Sequence, residues 1–175
     1  QYPGAQPSKL GDVLATRARG GKPPLIIAAS GGGSRAALYT ASALEGLAQL
    51  NVAQDIVLVS GVSGGGVALA DFAMNRDQLL NASSASNPRW GSFKERLSQA
   101  FIQDVIEGAM EWRLIGEAPL SSLLVESFER KLNERQLRLG DIDELGFILN
   151  TSISGHPAED SLVLSNAITP STHEA

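Results

Sequence analysis

Two unbroken apolar runs, each followed at once by a glycine-rich turn, constrain the fold of this chain more than any other feature. The runs are Leu25–Ala29 and Ile56–Val59, and the turns behind them read SGGGSRA (residues 30–36) and GVSGGG (residues 61–66). Strands with continuous rather than alternating apolar residues are typically buried on both faces, as in a parallel sheet. A helical pattern over residues 35–50 joins the two runs. The sequence therefore predicts a strand–helix–strand unit and an α/β fold.

The segments behind the second turn predict further helices. An apolar helix is expected to begin at Ser63 or Gly64, and the polar residues 75–91 are expected to form a loop after it. Ser92 and Glu95 fit a capping box, so a second, amphipathic helix is predicted to begin there.

The carboxyl half completes the predicted fold. Apolar stripes over residues 93–109 and 120–132 indicate amphipathic helices, and residues 147–153 and 161–164 are typical of two antiparallel strands at a sheet edge. We expect a mostly parallel sheet with helices on both faces, incomplete at its C-terminal end.

Length and composition limit the classes of function. The 175 residues suffice for one domain, which we expect over residues 25–175 behind a lead-in over residues 1–24. A formal net charge of −5 excludes a broad basic surface for nucleic acid. The chain has no cysteine and two histidines, so neither a thiolate nor a histidine-rich metal site is predicted.

Ser63 occupies the centre of the second turn, in the pattern Gly-x-Ser-x-Gly. Gly61 and Gly65 flank it, and the strand before and helix after it are the context of a nucleophile elbow. In such a turn the serine hydroxyl projects from a strained backbone, and the glycines remove side chains that would collide. A loop with an incidental serine stays open as the alternative, because a chain of this composition contains about 0.2 such matches by chance.

The first turn predicts an anion-binding site. Gly31, Gly32 and Gly33 lead into a helix, whose N-terminal backbone amides attract negative charge. Acyl transfer needs such donors, because the ester carbonyl oxygen becomes an oxyanion. Neighbouring parallel strands end at one sheet edge, so these amides and Ser63 are expected side by side. A Walker loop would need a lysine after the last glycine, and none follows. A dinucleotide-binding fold would need an acidic residue at the end of the second strand, where this chain has Ser60. Glycines that serve only the close packing of helix and strand remain an alternative.

The two turns resemble, in order and in context, those of the patatin-like and cytosolic-type phospholipases. GGGSR, Gly31–Arg35, is similar to the oxyanion turn of that family, and GVSGG, Gly61–Gly65, is similar to its nucleophile elbow. The resemblance runs from about residue 23 to residue 74, and the short spacing between the turns is also typical of the family. It implies a lipid acyl hydrolase with a serine–aspartate dyad.

The resemblance also implies a role for individual residues and a class of substrate. The expected substrates are apolar acyl esters such as phospholipids or lysophospholipids, presented at a membrane surface, and no metal or organic cofactor is implied. Arg35 would order its loop or face a substrate phosphate. The remaining site residues are Ser63 as nucleophile, Gly31, Gly32 and Gly33 as oxyanion donors, and Gly61, Gly64 and Gly65 as the elbow glycines.

No residue of the chain fits the base of the dyad. The family places its aspartate before a glycine, and the sequence has no Asp-Gly pair; Asp141, Asp143 and Asp160 are therefore not assigned. We expect the aspartate, with the remainder of the catalytic domain, on a segment beyond Ala175.

Two other functions remain open from the sequence. The first is a catalytically inactive lipid- or protein-binding module that keeps both turns. The second is an esterase with a serine–histidine triad, for which His156 and His173 are the available bases.

Overall fold

The computed structural model describes the two apolar runs, both glycine turns and the elements around them. Within the described ranges, four strands and three α-helices have both ends defined. The strands are β1 Leu25–Ala29, β2 Ile56–Val62, β3 Gly146–Ser152 and β4 Ser161–Ser165, and the helices are α1 Gly33–Gln49, α2 Ser63–Leu80 and α3 Pro88–Leu97. The described residues are 11, 14–15, 22–81, 87–99, 145–152 and 161–165.

The four strands form one sheet in the order β1-β2-β3-β4. β1, β2 and β3 are parallel, and β4 is antiparallel to β3, as the sequence predicts. Ala29 lies opposite Gly61, and Val62 lies opposite Asn150. The carboxyl ends of the three parallel strands therefore meet at one edge of the sheet, where both glycine turns begin.

Helical residues cover both faces of the sheet, so the predicted α/β architecture is confirmed. On one face α1, α2 and α3 enclose the larger core, together with apolar residues of β2 and β3. On the other face Leu14, which is helical, packs beside Val57 and Leu58. The largest fully buried apolar side chains of the first core are those of Leu44, Ile56, Leu69, Phe72, Phe93, Leu97, Leu145 and Phe147.

Burial on both faces is confirmed for β2 and wrong for β1. Val57, Leu58 and Val59 are buried, whereas Ile26 of β1 is 48% exposed. β1 is the edge strand of the sheet that the described residues form, and only β2 pairs with it. An unbroken apolar run predicts burial but does not show which strand has a neighbour on each side.

The predicted loop over residues 75–91 is partly wrong, because α2 continues to Leu80. Arg76 is buried within this stretch, and its guanidinium donates hydrogen bonds to the backbone carbonyls of Gln54 and Ile56 at 2.9 and 3.1 Å. Buried polar groups are tolerated when they find such partners. Hydrophobic periodicity alone would predict that this arginine lies at the surface.

The capping box predicted at Ser92 is also wrong. α3 begins at Pro88, and the side chain of Asn87 accepts a hydrogen bond of 3.0 Å from the backbone amide of Arg89. Asparagine is a preferred N-cap, and proline is favoured at the first helical position. Ser92 therefore lies inside the helix. The helical stripes predicted beyond residue 99 and the turn at residues 155–160 lie outside the described residues.

Candidate active site

Ser63 lies where β2 ends and α2 begins. Its backbone φ is +50°, in the left-handed region that residues other than glycine rarely adopt. This conformation costs about 1–2 kcal/mol for a residue with a Cβ. The residue is exposed at the sheet edge. Strain of this kind persists only where the surrounding structure holds the turn in place.

Close backbone packing holds the second turn. A Cβ added to Gly61 would lie 2.5 Å from the Cα of Gly66, and one added to Gly66 would lie 2.7 Å from a methyl carbon of Leu149. A Cβ on Gly65 would meet the carbonyl oxygen of Ser30. Gly61 and Gly65 are required because neighbouring backbone leaves no room for a Cβ, whereas the Leu149 side chain could move to accommodate one at Gly66. No role for Gly66 is predicted from the sequence, although it is part of the same glycine run.

The two turns are in direct contact. A Cβ added to Gly64 would meet the carbonyl oxygen of Gly33, and one added to Gly31 would lie 3.4 Å from the Cβ of Ser63. The side chain of Ser63 therefore stands next to the Gly31 backbone. The structure thus brings together the residues that the sequence singles out at the two turns.

Two residues of the first turn have backbone conformations that only glycine adopts readily. Gly32 has φ +145° and Gly33 has φ +61°, and both conformations are strained for any other residue. Gly31 and Gly32 are exposed. The backbone of this turn is therefore open to a ligand and carries no side chain that would cover it.

The N-termini of α1 and α2 meet at this edge without side-chain caps. Among the described residues, no side chain caps either helix and neither first turn contains an acidic residue. The first amides of a helix have no partner within the helix, and the helix dipole gives this end a partial positive charge. Two uncapped N-termini beside an exposed serine form a place where negative charge is stabilised.

Arg35 lies in the first turn of α1 and is exposed. Within the described ranges its guanidinium has no hydrogen bond or ion pair. A cation at this position is opposed by the positive end of the helix. The position of Arg35 is therefore unfavourable in the absence of a nearby anion.

A side-chain hydrogen bond ties the neighbouring strand to β2 just before the elbow. The amide nitrogen of Asn150 donates to the hydroxyl oxygen of Ser60 at 3.1 Å, and both side chains are half-buried. This pair is not predicted from the sequence. The two residues are far apart in sequence, and no local pattern indicates that they meet.

A buried ion pair fixes α2 against α3. Asp71 of α2 is fully buried, and one of its oxygens accepts hydrogen bonds from Arg96 and Asn75, each at 2.7 Å. Burial raises the pKa of Asp71, and the hydrogen bonds and the charge of Arg96 oppose this rise. Because Ser63 begins the same helix, this pair helps to hold the elbow in its place.

No group of three or more histidine, cysteine or acidic side chains is placed to hold a metal among the described residues. No helix in the described ranges is long and apolar enough to cross a bilayer. Asp141, Asp143, Asp160, His156 and His173, the residues considered as a base, all lie outside these ranges.

The fold of the described residues is similar to that of solved cytosolic phospholipase A2 structures. Human GIVD cytosolic phospholipase A2 has a similar fold, with a TM-score of 0.50 and 14% sequence identity over 88% of this chain and 24% of that chain. Its complex with methyl gamma-linolenyl fluorophosphonate gives a TM-score of 0.50 and 15% identity over 88% and 25%. This chain thus spans about a quarter of the length of these neighbours. No protein-family model and no curated protein matches it.

Proposed function

We propose that this chain carries the nucleophile and the oxyanion-binding amides of a lipid acyl hydrolase that cleaves phospholipids or lysophospholipids. The observation that carries the proposal is the contact between the turns, in which a Cβ at Gly31 would lie 3.4 Å from that of Ser63. The left-handed φ of Ser63 and the two uncapped helix N-termini support it. The similarity in fold to a cytosolic phospholipase A2 is consistent with it.

In this proposal, the Ser63 hydroxyl oxygen attacks the ester carbonyl carbon while a base removes its proton. The carbonyl oxygen becomes an oxyanion and is bound by the amides of Gly31–Gly33, each worth about 3–4 kcal/mol in the transition state. The tetrahedral intermediate collapses, and the protonated base gives its proton to the leaving alcohol. Water then attacks the acyl-serine ester by the same route and releases the fatty acid.

The proposed catalytic base is not assigned to any residue of this chain. An aspartate on another segment would form a dyad with Ser63 and take its proton. Such a carboxylate would need to lie within hydrogen-bond reach of the hydroxyl, at about 2.6–3.2 Å.

Arg35 is proposed to bind the head group of the substrate. Its charge stands beside the positive end of α1 and is exposed at the same edge as Ser63. A phosphate in the substrate head group would relieve this unfavourable arrangement through charge-assisted hydrogen bonds. Phospholipids and lysophospholipids supply both the ester and the phosphate, which favours them over neutral esters.

The test uses the full-length natural protein that contains this chain. We expect a fluorophosphonate to label Ser63 and Ser63→Ala to abolish both labelling and ester hydrolysis, with a fall in kcat of at least about a thousandfold. Ser42→Ala, at an exposed serine of α1 whose hydroxyl bonds only the Leu38 carbonyl among the described residues, serves as the control and should keep full activity. A folded full-length protein that is neither labelled nor active would favour the binding module.

The histidine triad is distinguished by a second variant. If a serine–aspartate dyad operates, replacing both His156 and His173 by alanine should change kcat/KM by less than about twofold. Loss of hydrolysis in that double variant, with folding intact, would favour the triad esterase instead.

A further inference from the structure

A polar side-chain pair joins β2 to β3 directly before the elbow. The pairing of these two strands ends where Val62 lies opposite Asn150, and Ser63 follows at once. The side-chain amide of Asn150 donates its hydrogen bond of 3.1 Å to the hydroxyl of Ser60, which lies two residues before Val62. The bond therefore runs diagonally across the last paired residues of the two strands, and it spans the part of β2 that leads into Ser63.

The pair lies on the face of the sheet that α2 does not cover. A Cβ added to Gly61 would lie 2.5 Å from the Cα of Gly66 in α2, so position 61 faces that helix. Successive side chains of a strand point to opposite faces, so Ser60 points away from α2. Ile148, which lies opposite Ser60, packs in the core on that other face. The end of β2 is thus held by close packing on one face and by a side-chain hydrogen bond on the other.

Each member of the pair depends on the other for its hydrogen bond. Ser60 carries the only polar side chain of β2. Both Ser60 and Asn150 are half-buried, and among the residues that the structure describes neither side chain makes another hydrogen bond. Polar groups that lose water on folding need such a partner. A shift of β2 along β3 at this point would break the bond, so the bond opposes the shift.

The strained backbone of Ser63 makes the position of β2 important. A residue with a Cβ leaves the left-handed region when its surroundings allow it, and the φ of Ser63 is +50°. Such a relaxation would move the hydroxyl away from the backbone of Gly31, beside which it now stands. A misplacement of about 1 Å in a reacting group can cost about a hundredfold in rate. A bond that fixes the end of β2 can therefore affect catalysis as well as stability.

We propose that Asn150 is a positioning residue for Ser63 and acts through the hydroxyl of Ser60. This inference rests on the proposed function, and it adds to the proposed active site a residue of β3 that touches no reacting atom. Loss of the bond should lower kcat and leave KM nearly unchanged, because it displaces the nucleophile and not the groups that bind the substrate.

Ser60→Thr and Ser60→Val form a matched pair of variants. Threonine and valine have nearly the same shape and both favour strands, but only threonine keeps the hydroxyl that accepts the hydrogen bond. Asn150→Ala removes the donor instead. Asn87→Ala is the control for a loss of stability alone, because Asn87 caps α3 and its hydrogen bonds lie away from the elbow.

The experiment measures kcat and KM of the full-length protein for p-nitrophenyl butyrate and the rate at which a fluorophosphonate labels Ser63, with thermal unfolding as the check on folding. Ser60→Val and Asn150→Ala should each lower kcat and the labelling rate by about tenfold. The double variant should be no slower than either single variant, because both remove the same bond. Ser60→Thr should stay within about twofold of the wild type, and Asn87→Ala should lose stability but keep its kcat.

Results that overturn the inference differ from those that overturn the proposed function. If the wild type is active and labelled, but Ser60→Val and Ser60→Thr have equal kcat, the bond does not position Ser63 and the proposed function stands. The inference also fails if the effects of Ser60→Val and Asn150→Ala on kcat add in the double variant, because Asn150 then does not act through Ser60. If the folded wild type hydrolyses no ester and Ser63 is not labelled, both proposals fail.

Discussion

The two glycine turns meet at one edge of the sheet, yet they require glycine for different reasons. In the second turn, Gly61 and Gly65 lie so close to neighbouring backbone that an added Cβ could not fit. In the first turn, a Cβ at Gly33 would meet nothing within 4 Å, and glycine is required by its positive φ. The second turn is held by packing, whereas the first is open and is shaped by its backbone conformation.

This difference indicates that the second turn supports the position of Ser63, whereas the first turn is the one that can contact a substrate. A tightly packed elbow can keep Ser63 in a strained conformation, because the turn has no room to relax. An open turn leaves its backbone amides accessible to a substrate. Substitution of the tightly packed Gly61 or Gly65 should therefore act mainly on stability, and substitution of Gly31 in the first turn should act mainly on catalysis.

The largest expected effect is that of Gly65→Ala. The new methyl would meet the carbonyl oxygen of Ser30 and lie 2.8 Å from the Cβ of Ala29, so backbone must move. We expect a loss of at least about 3 kcal/mol in the free energy of unfolding, at the upper end for overpacked sites, measured by denaturant titration. Gly46→Ala is the control: its site in α1 is open, and alanine should stabilise the helix by up to about 1 kcal/mol. Equal effects at both positions would refute the packing argument.

The next largest effect tests what holds α2. Arg96→Leu would leave the carboxylate of Asp71 buried without its charged partner. Removal of one member of a fully buried pair costs about 3–5 kcal/mol; we expect about 2 kcal/mol near pH 7, because the Arg96 side chain is 26% exposed. Urea unfolding of both proteins measures the difference.

The loss of stability caused by Arg96→Leu should depend on pH in a defined direction. Because burial raises the pKa of Asp71 above its ordinary value of 3.8, the folded chain binds this proton more tightly than the unfolded chain. The resulting stabilisation is fully present below the unfolded pKa and is lost as the pH rises through the higher folded pKa. Without Arg96 the folded pKa rises further, so the deficit of Arg96→Leu should be smaller near pH 4 than near pH 7. A deficit that grows towards acid pH would contradict this account.

A smaller effect is expected at Gly31, where the contrast with Gly65 is sharpest. Its φ is not positive, and an added Cβ would lie at an ordinary contact distance of 3.4 Å from that of Ser63. Gly31→Ala should change stability by less than about 1 kcal/mol. It should nevertheless lower kcat/KM by about tenfold, because the methyl occupies space beside the attacked carbonyl. A folded Gly31→Ala variant with full activity would show that Gly31 does not take part in the proposed active site.

The smallest effect measures the strain at Ser63. Ser63→Gly should be more stable than Ser63→Ala by about 1 kcal/mol, because glycine adopts a φ of +50° without a clash. Asn51, which follows the C-cap Leu50 of α1, has φ +56°, and asparagine tolerates this region, so Asn51→Gly should gain less stability. Thermal unfolding of the three variants gives the comparison, and equal stability of Ser63→Gly and Ser63→Ala would show that the turn stores no strain.

Local sequence patterns predict the part of the fold that local physics determines. The apolar runs and the glycines between strand and helix identify β1, β2 and the two turns, because each signal lies within a few residues. Local patterns fail where distant groups determine the structure. Arg76 is buried in α2 because its guanidinium bonds carbonyls some 20 residues away, and Asn150 bonds Ser60 across 90 residues. The edge position of β1 likewise depends on strand order, which no single run reveals.

The most direct test is a crystal structure of the full-length protein after reaction with a fluorophosphonate. The account predicts a phosphorus bonded to the Ser63 oxygen, with its free oxygen about 2.7–3.1 Å from backbone nitrogens of Gly31–Gly33. A modified Ser63 whose phosphonyl oxygen points to solvent, with those amides bound elsewhere, would contradict it.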